Sequence, residues 1–259
     1  MNPAFRSGLG AGKLRRARHF MKADGRTVLV ALDHAAYMGA GPPRGAAMRA
    51  LADGRPDGIL ATWEVARTDA GTFADAGLVL RLDGGTSELG QRASADVSNL
   101  LYRAEHAMAI GADAVVVLVF PGAPDEERSL QRLASLCAEC ELLGLPVMAE
   151  SIPGGWGRAV PWTVDSVSRA ARICAELGAD IIKTPCPGPA DEFEAVAEAC
   201  PVPVVVLGGP KMASEEDVVA LATGVVRAGA AGIAFGRNCW GSADPGKLLA
   251  RLHEAVHGT

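Results

Sequence analysis

Short runs of apolar residues rich in Val, Ile and Leu recur along the whole chain. Eight such runs can be read directly from the sequence: residues 27–32, 57–62, 78–82, 113–120, 146–150, 180–184, 203–208 and 232–236. Most of them are continuously apolar, which is typical of strands covered on both faces in a parallel sheet. Helix-like segments fill most of the gaps, so the pattern predicts alternating strands and helices with right-handed crossovers.

Four of the intervening segments have the periodicity and end signals of amphipathic helices, namely residues 95–112, 125–144, 164–179 and 214–230. Ser214 stands before three acidic residues, which is a helix-start signature. Residues 1–24 precede the first strand, and we expect this N-terminal segment to cap the floor of the fold.

Eight strand–helix units fit a closed (β/α)8 barrel, which needs about 250 residues, and the chain has 259. An open doubly wound sheet is the weaker alternative, because no Gly-x-Gly-x-x-Gly follows the first strand. No linker or low-complexity segment interrupts the pattern. The sequence therefore predicts one α/β barrel domain over residues 1–259.

Composition and charge exclude several classes of protein. The hydrophobic fraction of 49% is too high for a disordered chain. No apolar run reaches the roughly 18 residues that a membrane span needs, and the N-terminus lacks the apolar stretch of a secretory signal. The net charge is −5, and the basic residues are dispersed outside a short run near the start. Neither a membrane nor nucleic acid is an expected partner, and we expect a cytoplasmic protein.

The six cysteines are expected to be free thiols. Cys137 and Cys140 form a CxxC, but it lies inside a predicted helix, and we expect no second CxxC or HxxxH to supply the remaining ligands of a zinc site. No metal site and no cofactor is predicted.

The active site of a (β/α)8 barrel lies at the carboxyl ends of its strands. Polar residues and glycines at those ends are the candidates: Asp33, His34, Thr62, Trp63, Glu64, Asp83, Glu150, Ser151, Lys183, Gly208, Gly209, Gly236 and Arg237. Tyr37, in the loop after the first strand, is a minor candidate.

Lys183 is the most informative of these residues. Only five lysines stand against twenty arginines, and Lys183 alone falls inside a predicted strand. An ammonium among isoleucines loses hydration, which favours the neutral amine. A neutral amine attacks carbonyls and forms Schiff bases, whereas arginine stays protonated. The alternative is a lysine at the barrel rim that pairs with Asp33 or Glu150 for structural reasons.

We expect several candidates for acid–base catalysis near this lysine. Asp33 is expected beside Lys183, where it can assist proton transfer. His34 is the next residue along the strand, so its side chain should point away from the side on which Asp33 lies. A structural, hydrogen-bonded histidine fits this position at least as well as a catalytic one. Glu150 and Ser151 are candidates for orienting a water molecule or a substrate hydroxyl.

The last two strands open into glycine-rich loops. Gly208 and Gly209 precede Lys211, and Gly236 precedes Arg237. Glycines let backbone N–H groups approach an anion, and barrels of this kind often bind phosphate after strands seven and eight. Arginine can fork onto phosphate oxygens. These five residues therefore form a candidate phosphate site, although glycine after a strand is also common in plain turns.

Three segments in order, GRTVLVALDHAAYMGAGP, DIIKTP and GGPK…GIAFGRN, resemble the archaeal-type class I fructose-bisphosphate aldolases. That group also contains the 2-amino-3,7-dideoxy-heptulosonate synthases and the autoinducer-2 phosphate thiolase. The resemblance implies a (β/α)8 barrel with a Schiff-base lysine at Lys183, an aspartate working beside it at Asp33, and phosphate loops at Gly208, Gly209, Gly236 and Arg237. It also implies a homo-oligomer, often a decamer of two pentamers.

The chain departs from this family after the fifth strand. The aldolases and heptulosonate synthases have a Trp-x-Tyr-Pro-Arg-Gly segment there, with the tyrosine as general acid–base. Ile152 occupies the tyrosine position and Gly154 the arginine position. Isoleucine cannot move a proton, so this work falls to Glu150, Asp33, His34 or a water molecule. The thiolase branch also lacks the tyrosine.

The sequence thus predicts a class I aldolase that makes or breaks a carbon–carbon bond in a phosphorylated keto substrate, such as dihydroxyacetone phosphate or a ketose phosphate. Three alternatives stay open. They are thiolase-type acyl transfer to coenzyme A, a biosynthetic condensation with an amino-aldehyde, and a non-catalytic barrel that binds a sugar phosphate.

Overall fold

The computed structural model describes residues 9–39, 41–42, 44–85, 87–90 and 98–258. The first eight residues of the predicted N-terminal cap lie outside this description. The strands are β1 Thr27–Ala31, β2 Gly58–Ala61, β3 Gly77–Arg81, β4 Asp83–Gly85, β5 Ser98–Leu100, β6 Ala114–Val119, β7 Val147–Ser151, β8 Ile181–Thr184, β9 Val204–Leu207 and β10 Gly232–Phe235.

The described helices connect and cover these strands. They are α1 Ala11–Ala17, α2 Ala35–Met38, α3 Ala46–Asp53, α4 Trp63–Thr68, α5 Ala104–Ala109, α6 Glu126–Leu143, α7 Val164–Glu176, α8 Phe193–Ala199, α9 Glu215–Arg227, α10 Arg237–Trp240 and α11 Pro245–His257. No helix among the described residues combines the length and apolar character needed to cross a membrane.

Eight parallel strands close into a barrel in the order β1-β2-β3-β6-β7-β8-β9-β10, and β10 pairs with β1 again. One strand falls in each of the eight apolar runs, so the predicted (β/α)8 fold is confirmed. Side chains along each strand alternate between the barrel interior and the helix layer. The interior side chains form a cluster of their own: Leu29, Ala31, Leu60, Val79, Ala114, Val116, Met148, Ile181, Val205 and Ala234.

The N-terminal segment covers the floor of the barrel as far as the structure describes it. Phe20 and Met21 are buried and belong to the interior cluster. Lys13 of α1 is also buried, and its Nζ lies 2.9 Å from Asp180 Oδ2. Apolar contact and a buried ion pair therefore attach this segment to the amino ends of the strands.

Three aspartates at the barrel floor repeat one structural device. Asp57, Asp113 and Asp180 each precede a strand, and each carboxylate accepts a backbone N–H from the preceding barrel strand. The donors are Val28 at 2.7 Å, Leu78 at 2.8 Å and Val147 at 2.8 Å. Amide donors at the start of one strand are thus satisfied by a side chain of its neighbour.

The predicted helix over residues 95–112 is wrong in its first half. Residues 91–97 lie outside the described part of the chain, but β5 then pairs antiparallel with β4, and helix α5 begins only at Ala104. Ser98 Oγ donates to Asp83 Oδ2 at 2.6 Å, and both residues are buried. This non-local polar contact outweighs the local helical periodicity.

The other three helix predictions are confirmed by α6, α7 and α9. Ser214 caps α9 as predicted, because its Oγ accepts the Asp217 N–H at 3.1 Å.

Candidate active site

Strand alternation brings four charged side chains into the mouth of the barrel. Asp33, Arg81, Glu150 and Lys183 each stand two residues beyond an interior apolar residue of the same strand: Ala31, Val79, Met148 and Ile181, respectively. Each therefore continues the inward-facing row toward the carboxyl end of its strand. All four are buried, and all four line one cavity.

The cavity has a volume of about 410 Å³. Its walls combine charged groups with apolar and aromatic ones, contributed by Asp33, His34, Tyr37, Met38, Arg81, Glu88, Leu118, Glu150, Trp156, Lys183 and Arg237. This combination is typical of a small-molecule site.

Lys183 lines this cavity, and 4% of its surface is exposed. Its register partner on the neighbouring strand is Glu150. Lys183 Nζ lies 2.8 Å from Glu150 Oε1. The lysine is therefore both in reach of a ligand in the cavity and in contact with a carboxylate that can accept its proton.

Arg81 connects the carboxylates around the lysine. Its Nη2 donates to Asp33 Oδ2 at 2.8 Å, and Nη2 also contacts Glu150 Oε2. Its Nη1 donates to Asp83 Oδ1 at 3.2 Å. Two cations, Arg81 and Lys183, thus compensate three buried carboxylates.

This arrangement keeps Asp33 and Glu150 ionised. Burial by itself raises the pKa of Asp33, but the charges of Arg81 and Lys183 outweigh burial and hold that pKa well below its usual range. Burial also raises the pKa of Glu150, but the positive charges of Lys183 and Arg81 outweigh burial and lower that pKa, with Lys183 making the larger contribution. Because the pKa of each is lowered, both carboxylates are ionised at neutral pH and hold no proton to donate.

Tyr37 and His34 complete the wall next to Asp33. Tyr37 Oη donates to Asp33 Oδ2 at 2.9 Å, and burial holds the pKa of this phenol well above its ordinary value, so it is a neutral donor. Burial also lowers the pKa of His34, which leaves the imidazole neutral at pH 7.

The expectation that His34 points away from the mouth is wrong. The chain leaves β1 before this residue, and His34 has the helical backbone conformation that starts α2. Strand alternation therefore no longer applies, and the ring joins Asp33 at the cavity with Nδ1 3.5 Å from Asp33 Oδ1.

The predicted phosphate loops meet at the rim, although only Arg237 lines the cavity. Arg237 Nη2 donates to the Gly209 carbonyl at 2.8 Å. Asn238 Nδ2 donates to the Gly208 carbonyl at 2.9 Å, so side chains after β10 hold the loop after β9. Lys211 is exposed, and its Nζ donates to the Gly241 carbonyl at 2.8 Å rather than entering the cavity.

Gly236 is required by close packing rather than by a turn. A Cβ at this position would lie 2.4 Å from His34 Cε1 and 2.8 Å from the Ala31 carbonyl oxygen. The absence of a side chain at Gly236 therefore lets β10 approach β1 and His34 at the rim.

Several other candidates do not reach the cavity. Ser151 has the opposite strand parity from Glu150, and its side chain lies against Cys174 of α7 in the helix layer. Thr62 caps α4, with its Oγ1 accepting the Val65 N–H at 3.2 Å. Asp83 is used structurally, since its Oδ2 accepts Ser98 Oγ and the Leu118 N–H.

Trp63 and Glu64, at the start of α4, contact residues outside the cavity. The Trp63 ring stacks on Tyr102 with centroids 4.8 Å apart. Glu64 is exposed and pairs with Arg67 at 3.0 Å.

The loop after β7 contains Ile152 and Gly154, the positions where the resemblance leads us to expect a tyrosine and an arginine. Ile152 is fully buried and packs with Leu118, Phe120 and Ala123. Gly154 has φ 68°, and a Cβ there would lie 2.2 Å from the Val160 backbone nitrogen. The loop is thus built around an apolar residue and a glycine, and Trp156 supplies its contribution to the cavity wall.

Arg81 and Trp156 are cavity residues that sequence reasoning missed. The position of Arg81, two residues after the interior Val79, was an available signal because strand parity fixes its direction. Trp156 gave no such signal, since it lies in an irregular loop whose path depends on packing.

Comparison with known proteins shows which family the chain belongs to. The family model for DeoC/LacD aldolases matches residues 27–242. The chain belongs to the DeoC/LacD aldolase family.

Individual relatives agree with this assignment. The chain is 33% identical over 252 residues to 2-amino-3,7-dideoxy-D-threo-hept-6-ulosonate synthase 1 of Archaeoglobus fulgidus, covering 95% of this chain and 92% of the relative. It is 32% identical over 269 residues to the 3-hydroxy-5-phosphonooxypentane-2,4-dione thiolase of Yersinia pseudotuberculosis, covering 99% and 87%.

A solved archaeal fructose-1,6-bisphosphate aldolase, with its catalytic lysine covalently bound to the carbinolamine intermediate of the substrate, superposes with a TM-score of 0.83. The two sequences are 30% identical, and the match covers 95% of this chain and all of the other. The predicted resemblance is therefore confirmed.

Proposed function

We propose that this protein is a class I aldolase that makes or breaks a carbon–carbon bond in a phosphorylated keto substrate through a Schiff base on Lys183. The observation that carries the proposal is the position of Lys183, a buried lysine that lines a cavity of about 410 Å³ and whose Nζ lies 2.8 Å from Glu150 Oε1. The solved relative whose catalytic lysine carries a carbinolamine supports this role.

The reaction begins when Lys183 gives its proton to Glu150, the carboxylate already in contact with it. The neutral amine adds to the substrate carbonyl to form a carbinolamine, and loss of water gives an iminium. Arg81 stays hydrogen-bonded to Glu150 throughout, which keeps that side chain in place.

Cleavage follows when a base removes the proton of the substrate hydroxyl beside the breaking bond. The bonding electrons move into the iminium, an aldehyde leaves, and an enamine remains on Lys183. Protonation of the enamine carbon and hydrolysis of the resulting iminium return the free lysine. Condensation is the reverse sequence.

Asp33 and His34 are the groups we assign to this proton transfer, since both line the cavity and both are without a proton at neutral pH, because the pKa of each is lowered. Arg237, with Gly208, Gly209 and Gly236 shaping its loops, is the group we assign to the substrate phosphate. Its Nε has no hydrogen-bond partner among the described residues, although it is buried, which leaves it a donor to offer.

Borohydride trapping tests the proposal. Dihydroxyacetone phosphate and borohydride should add the mass of the reduced adduct to the peptide that contains Lys183. Lys183→Ala should lose the adduct and the activity, whereas Lys247→Ala, a change at an exposed lysine, should keep both. Full activity of Lys183→Ala would remove the proposal.

Thiolase-type acyl transfer to coenzyme A is the second candidate, and Ile152 is the observation that favours it. This fully buried residue replaces the tyrosine of the aldolases and cannot transfer a proton. A thiolase relative spans nearly the whole chain. Product analysis with a phosphorylated diketone, with and without coenzyme A, separates the two, because only the thiolase reaction consumes the thiol.

From the resemblance to the class I aldolases we also propose that the protein is a homo-oligomer, up to a decamer. Leu142 of α6 is 89% exposed and Ile173 of α7 is 40% exposed, and these helices follow neighbouring barrel strands. Sedimentation at equilibrium measures the assembly, and a monomer at micromolar concentration would exclude it. A cytoplasmic location stays a prediction.

A further inference from the structure

A second polar cluster lies at the floor of the barrel, at the opposite end from Lys183. Its members are Asp57, which precedes β2, and His253 and His257 of α11. One donor atom from each of the three lies within 4.8 Å of the others. His253 and His257 are four residues apart, so a helix places both imidazoles on one face.

We propose that Asp57, His253 and His257 form a binding site for a divalent transition-metal ion of the Zn²⁺ type. Two imidazoles and one carboxylate are a donor set that such ions take, and three protein ligands leave a fourth position for water.

His257 is oriented as metal-binding histidines are. Its Nδ1 lies 2.7 Å from Asp24 Oδ2, and its Nε2 lies 2.9 Å from Asp57 Oδ2. Metal-bound histidines usually donate their other ring N–H to a carboxylate, which fixes the ring and the tautomer. With Asp24 accepting from Nδ1, Nε2 faces Asp57, which places two donor atoms side by side.

His253 supplies an independent observation. Its Nε2 is shielded from solvent and has no hydrogen-bond partner among the residues described. Its ring stacks on that of His257, with centroids 5.3 Å apart and planes 25° apart. A shielded nitrogen without a partner costs stability, and a shared metal ion would satisfy it.

Asp57 supplies the carboxylate ligand. Its existing contacts with other protein groups limit the affinity for the metal ion. The residue is 2% exposed, and its Oδ2 is already bound to the Val28 N–H. Lys22 Nζ lies 3.5 Å from Asp57 Oδ1, but 42% of the Lys22 side chain is exposed, so it can move aside. On its other side Asp57 lines a cavity together with Lys22, Asp53, Arg55 and Asp75, and neither histidine lines that cavity.

The proposed site lies at the barrel floor, where a bound ion would have a structural role. The ion would join the last helix to the start of β2 and, through Asp24, to the turn before β1, at the end of the barrel away from the carbonyl chemistry. This inference does not rest on the proposed function, since chelation is expected to leave Lys183 trapping unchanged.

The sequence predicted no metal site, although His253 and His257 have the four-residue spacing of a ligand pair on one helix face. Cys137 and Cys140 are poor ligands, because burial raises the pKa of each to about 12.

Titration of the chelator-treated full chain with Co²⁺ tests the proposal. We expect one equivalent to bind with the visible absorption of four-coordinate cobalt and without a cobalt–thiolate band, and we expect Zn²⁺ to displace it and raise the melting temperature. His253→Asn should weaken binding at least tenfold. Glu254→Gln, a change between the two histidines on the exposed side of the helix, should bind as the parent does.

Asp24→Asn keeps all three ligands and removes only the partner of His257, so it should weaken binding about 10–100-fold. It also keeps the test decisive if His253→Asn does not fold, as judged by circular dichroism. Absence of saturable binding, unchanged affinity in both variants, or a thiolate band would each overturn the proposal.

Discussion

At the scale of single residues, the candidate active site is an electrostatic network around one lysine. Lys183 and Arg81 are cations with almost no contact with solvent, and Asp33, Asp83 and Glu150 are the carboxylates that compensate them. Removing one member of such a network leaves uncompensated charge in a medium of low polarity. The network therefore fixes the positions of the groups beside the nucleophile and also makes the fold depend on them.

Arg81→Met is expected to lower the free energy of unfolding by about 3–5 kcal/mol, because three buried carboxylates lose their shared partner. Urea denaturation measures the change. Arg169→Met is the matched control, since Arg169 pairs with Asp165 on an exposed helix surface and should cost less than about 1 kcal/mol. Equal losses in the two variants would contradict the role assigned to Arg81.

His34 predicts a specific dependence of stability on pH. Burial lowers its pKa in the folded protein from the ordinary value of 6.5, so below that pH the unfolded chain binds more protons at this residue. The free energy of unfolding contributed by His34 therefore falls as the pH drops through the region just below about 6.5. The lowered pKa of Asp33 acts in a different window, since its contribution is lost only as the pH falls below about 4.

Urea denaturation from pH 4.5 to 8 checks this for the parent protein and for His34→Gln. The difference between the two should widen as the pH rises from acid toward 6.5 and then stay level. A difference independent of pH would show that the folded protein does not depress the pKa of His34.

At the scale of elements, the site depends on how closely loops at the strand ends approach one another. The loop after β10 holds the loop after β9 through Arg237 and Asn238. The loop after β7 closes on Val160 at Gly154, and the β4–β5 pair is anchored by Asp83. These contacts hold the loops at the strand ends from which Glu88, Trp156 and Arg237 line the cavity.

Gly236→Ala tests this closeness. The new methyl group would meet His34 and the β1 backbone, so we expect a loss of about 1–3 kcal/mol in stability and a loss of activity in the molecules that fold. Gly71→Ala adds the same methyl group where nothing lies within 4 Å, and it should change stability by less than about 0.5 kcal/mol. Denaturation and steady-state kinetics measure both. Parent-like behaviour of Gly236→Ala would refute the close packing.

At the scale of the whole molecule, the barrel divides its two ends between chemistry and stability. The carboxyl ends of the strands hold the cavity, while the amino ends hold the aspartate–backbone contacts and the buried side chains of the N-terminal segment. That this segment caps the barrel over residues 1–24 stays a prediction, because residues 1–8 are not described.

Phe20→Ala measures the contribution of the floor. Phe20 is fully buried against the interior cluster, so its truncation should cost about 3–5 kcal/mol of unfolding free energy and leave the activity of the folded enzyme intact. Leu89→Ala, at a side chain that is 99% exposed, is the control and should change stability little. A small loss in Phe20→Ala would mean that the floor is not sealed by this residue.

The sequence by itself determined the barrel and the identity of its nucleophile candidate. Strand-forming runs and helix caps act locally, so eight runs and signals such as Ser214 suffice to predict the order of the barrel strands and three of the helices between them. The position of Lys183 followed for the same reason, because strand parity is a local property.

Only the tertiary structure decided the partners of that lysine. Contacts across the barrel gave Arg81 its three carboxylate partners, and contacts with β4 replaced half of a predicted helix by β5. The tertiary structure also brought Asp57 to two histidines about 200 residues later in the chain. Such contacts depend on chain closure in three dimensions, where burial sets the cost of every unpaired charge, and no local pattern contains that information.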